Sequence, residues 1–135
     1  GGAFDAVVGI NTFSYYLDKV AALAAYRRLL APGGRLVVID MNGASPYYAL
    51  MAALHVNELD QWYGVVRQSN RRRLERLLAA SGFRPLAMTR FAFLPNALGG
   101  AWVTLLRPVD ALFGVLPLGW LAMRIAYVAE AEAER

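Results

Sequence analysis

The chain has 135 residues, the size of one domain. It is 58% hydrophobic, with no cysteine and a single histidine, which excludes a disulfide framework, a thiolate metal site and an all-histidine metal cluster. Its net charge of +4 and pI near 9.8 give it a basic surface, with much of the excess in Arg67, Arg71, Arg72, Arg73 and Arg76.

Residues 4–10 (FDAVVGI) are short, apolar and rich in β-branched side chains, the composition of a strand buried on both faces of a parallel sheet. Asp18 is a suitable N-cap for a helix over 19–30. In that helix Ala22, Leu23, Tyr26, Leu29 and Leu30 face the sheet, and Lys19, Arg27 and Arg28 face water. Pro32, Gly33 and Gly34 stop the helix and turn the chain, and residues 35–40 (RLVVID) form a second buried strand ending in Asp40. A strand–helix–strand crossover of this length makes the two strands parallel, with the helix across one face.

Residues 41–47 read as a loop, and Pro46 opens a helix to about Asn57. Residues 58–68 carry no clear period, although Trp62 and Tyr63 suit packing or a pocket wall. Ser69 and Asn70 are cap residues ahead of a helix RRRLERLLAA, which Gly82 ends and against which Phe83 packs back. Leu74, Leu77 and Leu78 form its apolar stripe, with the arginines and Glu75 around the rest. That period favours a solvated helix face over a nucleic-acid or anionic-membrane patch. No aromatic platform or zinc-finger spacing accompanies it, so no nucleic-acid partner is expected. Residues 84–94 read as a third strand. After Pro95 a helix over 101–116 is disturbed by Pro108, residues 117–119 break the chain, residues 120–129 form a final strand, and the EAEAER tail frays.

This order of elements resembles a class I S-adenosylmethionine-dependent methyltransferase of the broad small-molecule group. The resemblance is carried by FDAVVGIN, the YLD loop, the helix and turn RRLLAPGGRLVVID, and LERLLAASGF before a strand. It is clear over residues 3–94 and weaker beyond. Its segments are scaffold, so the family is read from architecture and spacing. The resemblance implies a Rossmann-like α/β sheet of which only the later strands are here. These are two parallel strands with a crossover helix, then a helix and two further strands, the last antiparallel between its neighbours. It implies three earlier strands carrying a glycine-rich cofactor loop and an acidic ribose-binding residue. Neither motif occurs in these residues, and GGAF is not that loop. The whole of 1–135 then reads as a single partial domain: a strand–helix–strand core over 1–45, a lid or substrate region over 46–68, and a C-terminal helix and strands with an apolar insertion over 69–129.

The resemblance implies methyl transfer from S-adenosylmethionine to a small-molecule or lipid-like acceptor; no metal is expected, and the absence of cysteine fits a cytoplasmic protein. Asn11 follows a strand's carboxyl end, where open α/β sheets bind ligands, and matches a position beside the methionine part of the cofactor. The alternative is an asparagine that turns the strand exit. Phe13 and Ser14 follow on the same loop and border the cofactor, with packing the competing role for Phe13. Tyr15 stands where many relatives carry histidine. A tyrosine can hydrogen-bond an acceptor hydroxyl but holds its proton too tightly to act as a base at neutral pH. Asp40 either faces the substrate or stabilises the turn. If 46–68 is a lid, Tyr47, Tyr48, Trp62 and Tyr63 are candidates to line the substrate pocket. His55, on an apolar helix, is then the other candidate for catalysis, against a structural role.

Residues 111–123 (ALFGVLPLGWLAM) are uncharged but shorter than the roughly 20 residues a bilayer-spanning helix needs. Trp102, Phe113 and Trp120 suit a membrane boundary, which makes 101–123 a candidate for peripheral membrane contact; the other reading is a helix plus the final buried strand. Two further functions stay open: a non-catalytic α/β module that binds a protein or a membrane surface, and another nucleotide-binding enzyme such as a dehydrogenase.

Overall fold

A computed structural model of the chain describes residues 2–93 and 100–132. The elements in order are β1 (Phe4–Ile10), α1 (Lys19–Leu29), β2 (Leu30–Met41), α2 (Pro46–Ala53), α3 (Leu59–Val66), α4 (Arg71–Ala80), β3 (Phe83–Phe91), α5 (Gly100–Val115) and β4 (Arg124–Ala131). The strands form one sheet in the order β1-β2-β4-β3. β1 and β2 are parallel, as the crossover requires, and β4 lies antiparallel between β2 and β3.

Local chemistry sets the first crossover. The Asp18 carboxylate accepts from the Ala21 N–H at 2.9 Å and so caps α1. The helix ends one residue earlier than its sequence period, and Leu30 already starts β2. Residues 31–34 join that strand through an irregularity opposite Phe4–Ala6, with Gly33 in the left-handed region at φ 76°. At α4, Asn70 accepts from the Arg73 N–H at 3.1 Å, and Gly82, at φ 74°, ends the helix so that Phe83 is buried.

The core lies on one face of the sheet. Leu23 of α1 and Leu74 and Leu78 of α4 pack on Leu36, Val38, Ile125, Tyr127 and Ala129. Among the described residues no helix covers the other face of β1, so Val8 and Ile10 are 58% and 57% exposed. β1 is therefore not buried on both faces. Two assignments within α1 also change. Leu29 is exposed, whereas Lys19 is buried, because its ammonium folds inward to the Ser14 and Tyr16 carbonyls at 3.2 and 2.9 Å.

The region 46–68 holds two helices. The first stops at Ala53, since His55 and Glu58 adopt left-handed φ values of 53° and 54°, which a helix cannot contain. The second, α3, occupies the stretch without a clear sequence period. The final strand starts at Arg124 rather than at 120. The Leu121 and Ala122 carbonyls are taken by the side chains of Ser45 (Oγ, 3.0 Å) and Asn42 (Nδ2, 2.7 Å), so they cannot join the sheet, whereas Met123 still bonds backbone on both sides, accepting from the Asn42 N–H at 2.8 Å and donating to the Ala92 carbonyl at 2.9 Å. At its other end β4 runs two residues past the expected 129. The last residue assigned to the third strand (94), the break at 95 and the tail residues 133–135 lie outside the described residues, as does the first residue of GGAF.

Helix α5 runs through Pro108 without a break. It is fixed by Asp110, whose carboxylate accepts from the Phe93 N–H at 2.8 Å, and by Phe113, whose ring meets that of Phe93 at 5.8 Å. Trp102, Leu105, Val109, Leu112 and Leu116 recur at three- and four-residue spacing along an exposed stripe. Among the described residues no helix is long and apolar enough to cross a membrane.

Candidate functional site

The carboxyl ends of β1 and β2 and the start of the antiparallel β4 fall on one edge of the sheet. There Met41 is paired with Arg124, and Arg124 with Phe91. The loop after β1, the α2–α3 region and α5 all leave from this edge, so most of the sequence-derived site residues converge on it.

Asn11 leaves β1 in the left-handed region at φ 53°, with its N–H bonded to the Ile39 carbonyl at 2.8 Å. Its exposed side chain accepts a hydrogen bond from the Arg124 guanidinium. Asparagine is among the few non-glycine residues that enter the left-handed region readily, which suits it to the strand exit. The loop beyond is closed by a buried clamp. Asp40 is 0% exposed, and its carboxylate accepts from the Ser14 N–H (2.6 Å), the Ser14 hydroxyl (2.5 Å) and the Met41 N–H (2.8 Å). Asp40 therefore faces neither solvent nor pocket; its oxygens are used to hold the turn. Ser14 is 1% exposed with its hydroxyl spent on Asp40, and Phe13 belongs to the core, so neither side chain borders an open cofactor surface. Lys19 lies over the Phe13 ring at 5.7 Å. Burial lowers its pKa, Asp40 works against that effect, and Arg73 adds to it.

The clamp leaves Tyr15 projecting outward, where its ring meets Trp62 of α3 edge-on at 6.4 Å. These two residues, 47 positions apart in sequence, form an exposed aromatic wall. Tyr63 packs on the small cluster of Tyr48, Val66 and Met123. His55 is exposed in the turn after α2, not on an apolar helix. Tyr47 lines a cavity of about 390 Å³ together with Pro46, Leu50, Phe93, Phe113 and Leu121. The structure thus joins Asn11, Tyr15, Trp62 and Tyr47 to one sheet edge and withdraws Phe13, Ser14 and Asp40 into the interior. Sequence reasoning missed Arg124 and Asn42. The signal for Arg124 was available, because the first residue of an antiparallel strand sits beside the last residues of its parallel neighbours.

Tyr48 supports this edge by donating to the Met123 carbonyl at 3.0 Å. Burial pushes its hydroxyl up to about 12, with Arg124 opposing and Tyr47, Asp40 and Tyr15 adding to the shift. The folded protein keeps this proton where the unfolded chain releases it near 10. The resulting stability is complete below pH 10 and falls between about 10 and 12, by roughly 2–3 kcal/mol. Tyr127, also buried, is raised as well and steepens the same alkaline loss. Lys19 has the opposite sign. Its lowered pKa means the unfolded chain binds more protons, so stability rises as pH approaches 10.5. Tyr48→Phe is expected to cost about 1 kcal/mol at neutral pH and to flatten part of the alkaline loss. Urea midpoints of both proteins at neutral and alkaline pH check this, and an unchanged slope in the variant refutes it.

No protein-family profile and no curated protein matches the chain. Solved structures do resemble it. An S-adenosylmethionine-dependent methyltransferase from Mesorhizobium loti superposes with a TM-score of 0.58 at 16% identity, over 95% of this chain and 62% of its own. The plantazolicin methyltransferase BamL, solved with a triazolic desmethylPZN analog and SAH, gives 0.56 at 11%, over 98% and 55%. The [4+2]-cyclase SpnF gives 0.56 at 15%, over 98% and 51%. The chain spans about half the length of these structures, and a cyclase among them marks the likeness as one of fold. Over that half, the chain has the α/β fold of the class I S-adenosylmethionine-dependent methyltransferases, a mixed four-stranded sheet with its last strand antiparallel between β2 and β3.

Proposed function

We propose that the chain forms the acceptor side of an enzyme that transfers a methyl group from S-adenosylmethionine to a small-molecule or lipid-like acceptor in the cytoplasm. The observation that carries this reading is the convergence of Asn11, the Tyr15–Trp62 wall and the apolar cavity beside Tyr47 on the carboxyl edge of parallel strands. The residues suit the cofactor: an exposed amide at the strand exit fits the polar methionine portion, and an uncharged aromatic wall fits a sulfonium. The cofactor supplies a methyl group on a sulfonium, a good leaving group, so the protein has little acid–base chemistry to perform. Asn11 binds the methionine portion. Ser14 and Phe13 act through position, holding the loop on Asp40 and the core so that Tyr15 stays at the wall. Tyr15 orients an acceptor hydroxyl, while Trp62, Tyr63 and Tyr47 in the 46–68 lid exclude water and align the acceptor. The cavity between α2 and α5 accepts an apolar chain, which favours a lipid-like acceptor. His55, in an exposed turn, is the weaker catalytic assignment.

A second reading rests on the exposed α5 stripe. In it the chain is a non-catalytic module that meets a lipid surface through Trp102 and Trp120. Calorimetric titration of the full-length protein separates the two. Under the first reading Asn11→Ala weakens both S-adenosylmethionine and S-adenosylhomocysteine. Trp62→Ala weakens S-adenosylmethionine by about tenfold and S-adenosylhomocysteine less, because only the former carries the sulfonium. Absence of binding to either, together with vesicle binding lost in Trp102→Ser, replaces the first reading with the second.

A further inference from the structure

We propose that the cavity between the start of α4 and the end of β3 binds a phosphate-bearing anion. This cavity, about 580 Å³, is lined by Ala44, Asn70, Arg71, Arg72, Glu75 and Arg90. Three guanidinium groups face one carboxylate, and that carboxylate is engaged by Arg71 at 2.7 Å. Arg72 and Arg90 are left to act on a ligand.

The alternative is the solvated helix face that the sequence period of α4 describes. Arg71 and Arg72 alone fit it, since both are exposed on one helix. Arg90 does not. It comes from β3, converges on the same cavity, and is only partly exposed. Its Nε is buried with no hydrogen-bond partner. A buried N–H donor without a partner is unfavourable unless something pairs with it. Its side chain runs past Gly119, where an added Cβ would come within 3.3 Å of the Arg90 Cδ, so the glycine leaves it room.

Each guanidinium is a planar, multi-donor fork that matches phosphate oxygens, which lysine would match less well, and here two elements supply such groups to one cavity. The excess of two positive charges balances a phosphate monoester, which carries about −1.5 to −2 at neutral pH. The volume falls within the roughly 300–1,000 Å³ of small-molecule sites, enough for a phosphate with the group it is esterified to. The shared chemistry is the phosphate monoester, whether free in solution or on a lipid headgroup. The site lies on the β3 side of the sheet and stands independently of methyl transfer.

The test is titration of the full-length protein with inorganic phosphate and pyrophosphate, and sedimentation with phosphatidylcholine vesicles with and without phosphatidate. Binding to the wild type is expected to weaken about tenfold in Arg72→Gln and in Arg90→Gln, less in Arg90→Lys, and not in Arg28→Gln, a control on α1. Arg72 is exposed on its helix, so its substitution reads the site without a folding defect. Pyrophosphate binding accompanied by phosphatidate-dependent sedimentation that Arg72→Gln abolishes assigns a lipid headgroup. Pyrophosphate binding alone assigns a soluble phosphate. A wild type that binds none of these probes, or an Arg28→Gln loss equal to that of Arg72→Gln, overturns the proposal.

Discussion

Replacing Asp40 with alanine is expected to cost about 3–5 kcal/mol of stability and to abolish the arrangement of the loop after β1. The carboxylate is fully buried and is the acceptor for three donors at 2.5–2.8 Å. Alanine leaves the Ser14 N–H, the Ser14 hydroxyl and the Met41 N–H without their partner, and each unsatisfied buried donor costs roughly 1–3 kcal/mol. It also removes the negative charge that opposes the desolvation of Lys19, 5% exposed, whose pKa then falls further. Ser14→Ala removes only the hydroxyl's bond to Asp40 and keeps the Ser14 N–H bond, and should cost about 1–2 kcal/mol. Asp40→Asn falls between the two, because an amide keeps one oxygen but turns a donor toward other donors. Urea unfolding of the three variants gives the order. A loss below about 1 kcal/mol in Asp40→Ala would show that the loop is held by Phe13 packing alone. The same variant should weaken S-adenosylmethionine binding, since Tyr15 and Asn11 sit on either side of the clamped residue.

The clamp also shows where sequence reading stops. The strands and helices around residues 4–40 and 69–91 were legible because cap, period and turn chemistry agree: Asp18 and Asn70 cap, Gly82 ends a helix, and the leucine stripe of α4 is buried. The side on which a strand-end residue points was not legible. Asp40 and Asn11 both end strands on one sheet edge, yet one turns inward to Ser14 and the other outward to Arg124. Alternation along β2 places Asp40 on the same face as Leu36 and Val38, the covered face, but a charged residue reads as a surface residue until its partners are known. The Tyr15–Trp62 pair was out of reach for a different reason. It depends on how α3 folds back, and two left-handed residues, His55 and Glu58, set that path without a glycine to announce it. Residues 120–123 read as strand because they are apolar, whereas side chains of the loop after β2 take the Leu121 and Ala122 carbonyls. Sequence periodicity carries no information on such competition between distant partners.

Gly43→Ala is expected to be as damaging as Asp40→Ala, for a steric reason. A Cβ at this position would lie 2.1 Å from the Val66 carbonyl oxygen and 2.9 Å from the Arg67 Cα, both backbone atoms at the end of α3. Neither chain has room to yield. The Gly43 N–H is bonded to the Ser69 carbonyl at 3.0 Å, and Asn42 beside it is tied to the Ala122 and Met123 carbonyls. Overpacking of side chains costs roughly 1–3 kcal/mol, and a clash with fixed backbone belongs above that range, at about 3 kcal/mol or more. Two outcomes satisfy the expectation. Either the protein loses its cooperative unfolding transition, or it keeps one at reduced stability with α3 displaced. In the second case Trp62 moves away from Tyr15, and near-ultraviolet circular dichroism should report the lost aromatic contact. Binding of S-adenosylmethionine should then fall while phosphate binding at Arg72 and Arg90 persists, because those arginines belong to α4 and β3 rather than to α3. A Gly43→Ala protein with wild-type stability would mean that the loop after β2 and the end of α3 are not in van der Waals contact, and α3 could no longer be placed by that contact.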